Sequence, residues 1–534
     1  MQHQTSQEEN PDTDLFCCGR SHSKANWARH RKRTHGDHSR SRVSRKGPTY
    51  RCACGEELSV RNKARYKKGK HKDCVATNSH HDNAGPAQPS VPPPVRPTTP
   101  TDPTTLEEFW RQQCSIHQDA SRNAVQRALN LSAALLTKFS SKETRLSLEL
   151  PEYQSILREA IDGKAITYFE YISTDWEGDA PFNRHQYVVC SEKQAEEILK
   201  LDPPRLPLLI PATFSTSSSI ANIGIDEYLT YLSTKPTIDV HNYGEDINAR
   251  EKYIHPTRMS SADAIKLFRD PDTEPVNFLN LAGYRPNPVP ACMANLRQYS
   301  ILRNTMEYDQ SGKATEVHPN DLSSCTSFEI LGKAGAFHLP HMDHHGVITS
   351  VRSEEGDKLW LEWSALQEDE IISWGCTHVL ALPSFPVYIT DGDIFIQPGG
   401  RVHSPFSLTD VHMSGTMHWD SRSMVPVLKQ SLLELQYPTI TNEEPAKEFN
   451  LKLARIGELW NTHNPYYPWA DEESRTEFNT FHKDWLAKTQ PGCNCTTRCG
   501  SRKCNCVKNN VRCGPACHRN TSIDKCRNRR DSGR

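Results

Sequence analysis

The chain has 534 residues, and its 64 Lys and Arg nearly balance 65 Asp and Glu, for a formal net charge of −1. That length allows a large core with flanking modules. With no run of about 18 apolar residues and a polar N-terminus, neither a helical membrane span nor a secretory leader is expected. The balance conceals segregation: residues 20–72 and 488–534 are dense in Lys and Arg, so the middle is acidic. The 18 cysteines cluster as well, between Cys17 and Cys74 and between Cys493 and Cys526. Without a secretion signal this points to a reducing compartment and to metal ligands rather than disulfides.

The first module, 1–78, contains an internal repeat. Cys18-Gly19 leads through Ser23, Asn26, Ala28-Arg29 and Lys32 to His35 and His38. The same spacing returns as Cys54-Gly55, Ser59, Asn62, Ala64-Arg65, Lys68, His71 and Cys74. A Cys pair followed, beyond a basic segment, by a His or Cys pair is the layout of a small zinc finger, where a tetrahedral site substitutes for a core. Zn(II) ligands are expected at Cys18, His35 and His38 in the first unit and at Cys52, Cys54, His71 and Cys74 in the second. The fourth donor of the first unit stays open between Cys17 and His30. The basic runs 29–33 and 67–70 suit phosphate contacts or nuclear import.

Residues 79–104 form a Pro-rich linker. The run Thr104-Thr105-Leu106-Glu107-Glu108 then signals a helix start. Apolar Leu106, Phe109, Trp110, Ala124, Ala128, Leu131, Ala134 and Leu135 predict one or two helices ending near Lys138, in a helical segment spanning 105–148. Over 149–290 the pattern is mixed α/β: strands at 165–172 and 186–189 alternate with helices at 225–232 and 260–269. Cys114, Cys190, Cys292, Cys325 and Cys376 lack chelating spacing and are expected as buried thiols.

The β-rich core spans 291–430. It holds Phe337-His338-Leu339-Pro340-His341-Met342-Asp343, in which residues i and i+2 of an extended strand share a face. His341 and Asp343 therefore stand side by side, and His403 from a distant strand would complete a two-His-one-carboxylate set. Such a set holds Fe(II) and leaves open positions for a co-substrate and dioxygen. Gly356-Asp357-Lys358-Leu359-Trp360 supplies an ammonium that can pair with a carboxylate of a dicarboxylate ligand. Trp360 and Glu362 share the face of Lys358, while Leu359, Leu361 and Trp363 form the opposite, packing face. Asp391-Gly392 between 385–390 and 393–397 signals a hairpin. His344 and His345 are expected at a pocket rim or in solvent. His-x-Asp also begins at His35, His71, His80, His117, His418 and His482; of these His418-Trp419-Asp420 is the rival pair, but no Gly-x-Lys strand follows it.

Over roughly 222–424 these residues resemble the JmjC domain of iron- and 2-oxoglutarate-dependent oxygenases, which include histone lysine demethylases. Segments 237–240 and 276–281 are similar to the fungal type. The resemblance implies an α+β chain with a double-stranded β-helix (jelly-roll cupin) core, flanking helices and small zinc-stabilised modules at both ends. It implies Fe(II) on His341, Asp343 and His403 as the catalytic centre, and 2-oxoglutarate on Lys358. His338 stands where that family carries a Thr or Tyr that binds 2-oxoglutarate, and it is the second cofactor-binding candidate. The implied activity is hydroxylation of a C–H bond; on an N-methyl group the product collapses and releases formaldehyde. Hydroxylation of another protein side chain would use the same site, and a regulator without turnover would share the fold.

Residues 431–488 read as helices at 448–460 and 474–485, with Tyr466-Tyr467-Pro468-Trp469 as packing. The last module, 489–534, carries Cys493, Cys495, Cys499, Cys504, Cys506, Cys513, Cys517 and Cys526 in short basic stretches that cannot bury a core, so bound metal must supply the folding energy. The first seven resemble the CXC (tesmin/TSO1-like) zinc cluster, which implies Zn(II) and a place beside DNA. The expected partners are DNA or chromatin, with a histone tail as substrate, no membrane, and a nuclear location.

Overall fold

A computed structural model describes residues 15–17, 20–22, 49–51, 57–59, 103–162, 186–215, 221–245, 256–305, 322, 324–442, 446 and 448–489. The chain divides into two units, Met1–Pro94 and Val95–Arg534. The first contributes two hairpins, β1 (Leu15–Cys17) with β2 (Arg20–His22) and β3 (Thr49–Arg51) with β4 (Glu57–Ser59), one in each sequence repeat. The zinc-ligand candidates of both terminal modules, Cys18, His35, His38, Cys52, Cys54, His71, Cys74 and Cys493 through Cys526, lie outside the described residues.

The second unit is α+β with a mostly antiparallel main sheet. Its nine strands run in the order β5 (Val188–Val189), β6 (Leu208–Ile210), β15 (Ile394–Gln397), β12 (Ile348–Glu355), β17 (Val411–His418), β10 (Phe328–Gly332), β9 (Val276–Ala282), β7 (Thr237–Asn242) and β8 (Thr257–Ser260). Among them only β5 and β6 pair in parallel. A second sheet has the order β11 (His341–Met342), β16 (Val402–Ser407), β13 (Lys358–Glu362) and β14 (Phe385–Ile389).

Period-two alternation along β13 stacks these layers. Trp360 faces inward and shares one core with Val351 of β12, Phe395 of β15 and Met413 of β17, so the two sheets pack face to face. Leu359, Leu361 and Trp363 face outward and meet Ala124, Ala128, Leu146 and Tyr153 of the helices Pro103–Lys138 and Arg145–Asp162. Each such fully buried side chain contributes roughly 1.5–3 kcal/mol. The far face of the large sheet is covered by the helix Glu192–Leu201 at one end, and by Ile225–Leu232 and Ser261–Arg269 at the other.

Both predicted helices of the mixed region are present, and Ser260 caps the second by accepting from Asp263 N. Phe449–Asn461 and Glu472–Thr489 follow near the predicted C-terminal positions. The predicted strand at 165–172 lies outside the described residues. Among the described residues no helix is long and apolar enough to cross a membrane.

Two expectations are corrected. Asp391-Gly392 does turn the chain, with Gly392 at φ +82° and Asp393 N donating to Thr390 O, but it joins no hairpin. β14 pairs with β13 in the small sheet and β15 with β12 and β6 in the large one. The reason is cover: Ile394 and Ile396 need the apolar layer of the helix Glu192–Leu201 on their outer side. The Cys376 thiol is exposed near the end of the helix Glu368–Thr377, whereas Cys190, Cys292 and Cys325 are buried as expected.

Between β15 and β16 the chain passes tightly over the loop that follows β11. A Cβ on Gly399 would lie 2.3 Å from the Gly346 carbonyl oxygen, and Gly400 adopts φ +73°. Gly399→Ala should therefore destabilise the fold by about 1–3 kcal/mol, read as a lowered thermal midpoint.

Candidate active site

Three side chains meet on the inner face of the small sheet. Register places His341 opposite His403, and His403 opposite Glu362, so His341, His403 and Glu362 form one row across three strands. Asp343 follows β11 and turns its carboxylate to the same point: Oδ1 lies 3.6 Å from His403 Nε2, and Oδ2 accepts from the Thr349 hydroxyl. One ligand atom from each of His341, Asp343 and His403 lies within 4.8 Å of the others.

The rings are turned for ligation. His341 Nδ1 donates to the Leu339 carbonyl at 2.8 Å, which leaves Nε2 as the free lone pair. His403 Nδ1 faces Gln397 at 2.9 Å and the Arg401 carbonyl at 3.4 Å, away from the centre. Trp360 stacks on His403 with centroids 5.4 Å apart, and its indole N–H is held by Gln397 Oε1 at 2.9 Å. Burial lowers the pKa of His341 to about 3 and of His403 to about 4, so both are neutral near pH 7. Neutral imidazole is the form that binds a divalent metal.

Two rows along, Lys358 stands opposite Ser407 on the same face. Lys358 is 2% exposed, and among the described residues no hydrogen bond or ion pair to its ammonium is present. Burial lowers its pKa to about 8. Glu362 is fully buried and, among the described residues, neither carboxyl oxygen has a hydrogen-bond partner; burial pushes its pKa well up, which favours the neutral acid. Arg401 is also buried, with Nε and Nη2 unbonded.

His338 lies beside His341, its ring centroid 5.6 Å away, but both of its nitrogens are already engaged. Nε2 is 2.7 Å from the Asn277 amide and Nδ1 3.3 Å from that of Asn442. The rival pair is elsewhere: His418 bonds Ser350 and Thr416 and faces the Tyr299 carbonyl, while Asp420 is paired with Arg422 at 2.7 Å.

His344 and His345 are not at a rim or in solvent; they are 5% and 0% exposed. With Glu434 of the helix Met424–Gln436 they too bring ligand atoms within 4.8 Å. Proton placement argues against a metal there. Ala446 N–H donates to His345 Nε2 at 3.1 Å, so the ring proton sits on Nδ1, 3.1 Å from Ser431 Oγ. His345 Nδ1, 3.7 Å from Glu434 Oε2, is thus protonated and has no lone pair for a metal, while His344 Nδ1 lies 2.6 Å from the same oxygen.

The cluster instead acts as a clamp. Glu434 accepts from His345 N at 3.0 Å and from Gln430 Nε2 at 2.7 Å, and Gln430 Nε2 also donates to the Asp343 carbonyl at 2.9 Å. Trp419 Nε1 holds the His345 carbonyl at 3.0 Å. Together they fix His345 in the left-handed region, φ 58°, a conformation costing roughly 1–3 kcal/mol. Pattern reading could not find Gln397, Gln430 or Glu434, since nothing in their local sequence marks them.

In comparisons with protein-family models and with curated proteins, the chain matches none.

Manganese binding tests this geometry. The chain should take up Mn(II) at a site that His341→Ala destroys. Glu434→Ala or Gln430→Leu should weaken that site about 10–100-fold. Glu434→Gln, whose amide oxygen still accepts from His345 N, should keep most of the affinity, as read by electron paramagnetic resonance.

Proposed function

We propose that this chain is a JmjC-type dioxygenase using Fe(II) and 2-oxoglutarate, and that it demethylates histone lysine at sites to which its zinc modules bring it on DNA. The observation that carries this reading is Lys358, a buried ammonium with no counter-charge in contact among the described residues, on the same inner face as His341, Asp343 and His403. An unpaired buried charge costs several kcal/mol. A carboxylate entering beside the three donors would remove that cost.

The topology supports the same reading. Strands β10 to β17 fall, in chain order, in the large, small, large, small, small, large, small and large sheet, and the two sheets enclose one core. Such alternation between two sheets supports reading the core as a jelly-roll cupin. The donor set suits a ferrous ion: two neutral imidazoles that turn Nε2 toward the centre, that of His341 free, and one carboxylate. When bound, Fe(II) with 2-oxoglutarate supplies the oxidising power to hydroxylate an unactivated C–H bond.

The chain's own residues do the rest. His341 and His403 present neutral nitrogens, Thr349 and the clamp at Gln430 orient Asp343, and Lys358 receives the far carboxylate. Trp360, Phe395 and Val351 line the core behind His403 and exclude water from it. The choice of an N-methyl group rests on the resemblance across 222–424, because a hydroxylase of another side chain would use the same residues. Nuclear import and DNA contacts rest on the basic Cys-rich modules.

Incubated aerobically with Fe(II), 2-oxoglutarate and a trimethyl-lysine histone peptide, the chain should form succinate and formaldehyde. Lys358→Ala should lower the rate at least about tenfold, through loss of a charged hydrogen bond. Succinate without formaldehyde would turn the reading to a different side chain, and no succinate would contradict the oxygenase. The pH dependence has a definite sign. Lys358 in the free protein gives up its proton above about pH 8, while a bound carboxylate retains it. Affinity for 2-oxoglutarate should therefore be flat from pH 6.5 to 7.5 and fall about tenfold per unit above 8, measured by calorimetry.

A further inference from the structure

We propose that Gln397 is a positioning residue that holds His403 in the ring form a metal cannot use, with the proton on Nε2, so that filling the site breaks one hydrogen bond of a Trp360–Gln397–His403 chain. This rests on reading His341, Asp343 and His403 as metal donors, and it concerns how readily the site fills rather than what the site then does.

The direction of the chain is fixed from its far end. An indole nitrogen can only donate. Trp360 Nε1 lies 2.9 Å from Gln397 Oε1, so the amide oxygen is the end that faces Trp360. Glu362, the other acceptor near the indole, has neither oxygen hydrogen-bonded among the described residues. With its oxygen committed, Gln397 turns its NH2 group to His403 Nδ1 at 2.9 Å. An amide NH2 has no lone pair to offer, so Nδ1 is the acceptor and the ring proton sits on Nε2. The Arg401 carbonyl would draw a proton to Nδ1, but at 3.4 Å it is the weaker partner. Nε2 then points its N–H toward Asp343 Oδ1, 3.6 Å away. Amide ends and ring tautomers follow from such networks rather than from shape, and here a donor-only indole decides both.

The two imidazoles of the site therefore differ. His341 donates from Nδ1 to the Leu339 carbonyl at 2.8 Å and has its Nε2 lone pair ready. His403 does not. Ligation needs the Nε2 lone pair, which moves the His403 proton to Nδ1 with no net change of charge. The N–H groups of Trp360 and His403 then converge on an amide with one oxygen, and either orientation of Gln397 sets a donor against a donor. Bulk water does not relieve the conflict, since Trp360 and Gln397 are 3% and 1% exposed. Stacking of Trp360 on His403, with ring planes 13° apart, keeps the indole where it is. The usual partner behind a metal-binding histidine accepts from the ring N–H and strengthens the site. Gln397 donates, and weakens it.

Mn(II) affinity of the full chain, read by electron paramagnetic resonance, tests this by its sign. Gln397→Leu, which removes the donor, should bind Mn(II) about three- to tenfold more tightly than wild type, the worth of one hydrogen bond. A residue that merely supported His403 would instead give a loss of about 10–100-fold. Trp360→Phe, which keeps a stacked ring but lets the amide turn its oxygen to His403, should give a similar gain, and the double variant no more than Gln397→Leu alone. Gln397→Glu, able to accept from both N–H groups, should gain at least about tenfold. In the chelator-treated chain with isotope-labelled histidine, nuclear magnetic resonance of the ring nitrogens reads the tautomer directly. The signal that His403→Ala removes should be that of the Nε2–H form in wild type and of the Nδ1–H form in Gln397→Glu. Equal or weaker Mn(II) binding by Gln397→Leu, or the Nδ1–H form in wild type, would overturn the proposal, and gains that add in the double variant would overturn the route through Trp360. If wild type binds Mn(II) and Gln397→Leu binds it less well, the metal reading stands and this role of Gln397 falls; if no variant binds Mn(II), both fall.

Discussion

Antiparallel register between β11, β16 and β13 is the constraint on which the rest of the molecule depends. It sets His341, His403 and Glu362 in one row, and Lys358 with Ser407 two rows along, all pointing into the space between two sheets. Side chains alternate with period two, so a slip of one residue would send Lys358 and Trp360 out toward the helices and bring Leu359 and Leu361 inward. The apolar pattern forbids that slip. Leu359, Leu361 and Trp363 are locked against the helices Pro103–Lys138 and Arg145–Asp162 on the other side.

The inner face carries polar groups at a cost that the surrounding fold sustains. Two imidazoles are neutral, Glu362 is driven toward its acid form, and Lys358 keeps its proton near neutrality without a partner in contact among the described residues. The left-handed His345 adds backbone strain beside Asp343. Aromatic packing of Trp360 and Phe395 on one side, and the helix Met424–Gln436 on the other, holds these groups in place. Strain and unsatisfied polarity concentrated at one point, in an otherwise well-packed unit, are the usual marks of a site that functions by receiving something.

Much of this was legible in the sequence where chemistry and spacing coincide. His341 and Asp343 are neighbours in an i, i+2 pattern, and Gly-x-Lys-x-Trp announces a strand whose two faces differ. Alternation alone separated Trp360 from Leu359 and Leu361. What could not be read depends on which distant strands meet. Gln397 lies 37 residues after Trp360, and nothing local distinguishes it from any other glutamine; only the packing of the large sheet on the small one brings it to Trp360 and His403. Asp391-Gly392 gave a correct turn and a wrong pairing, because turn chemistry is local while the choice of sheet is set by which faces need cover. His344 and His345 look like solvent residues in a polar run, and become buried only because Glu434 and Ser431 arrive from a helix some ninety positions later.

The central claim is that one inner face holds a ferrous ion and 2-oxoglutarate together. Anaerobic titration of the Fe(II)-loaded chain with 2-oxoglutarate tests it most directly, since chelation of the co-substrate produces a weak visible charge-transfer band. The account predicts a saturable band that is absent in Asp343→Ala. A chain that binds Fe(II) and DNA but gives no band at saturating 2-oxoglutarate would contradict it, and would make this fold the scaffold of a DNA-binding regulator.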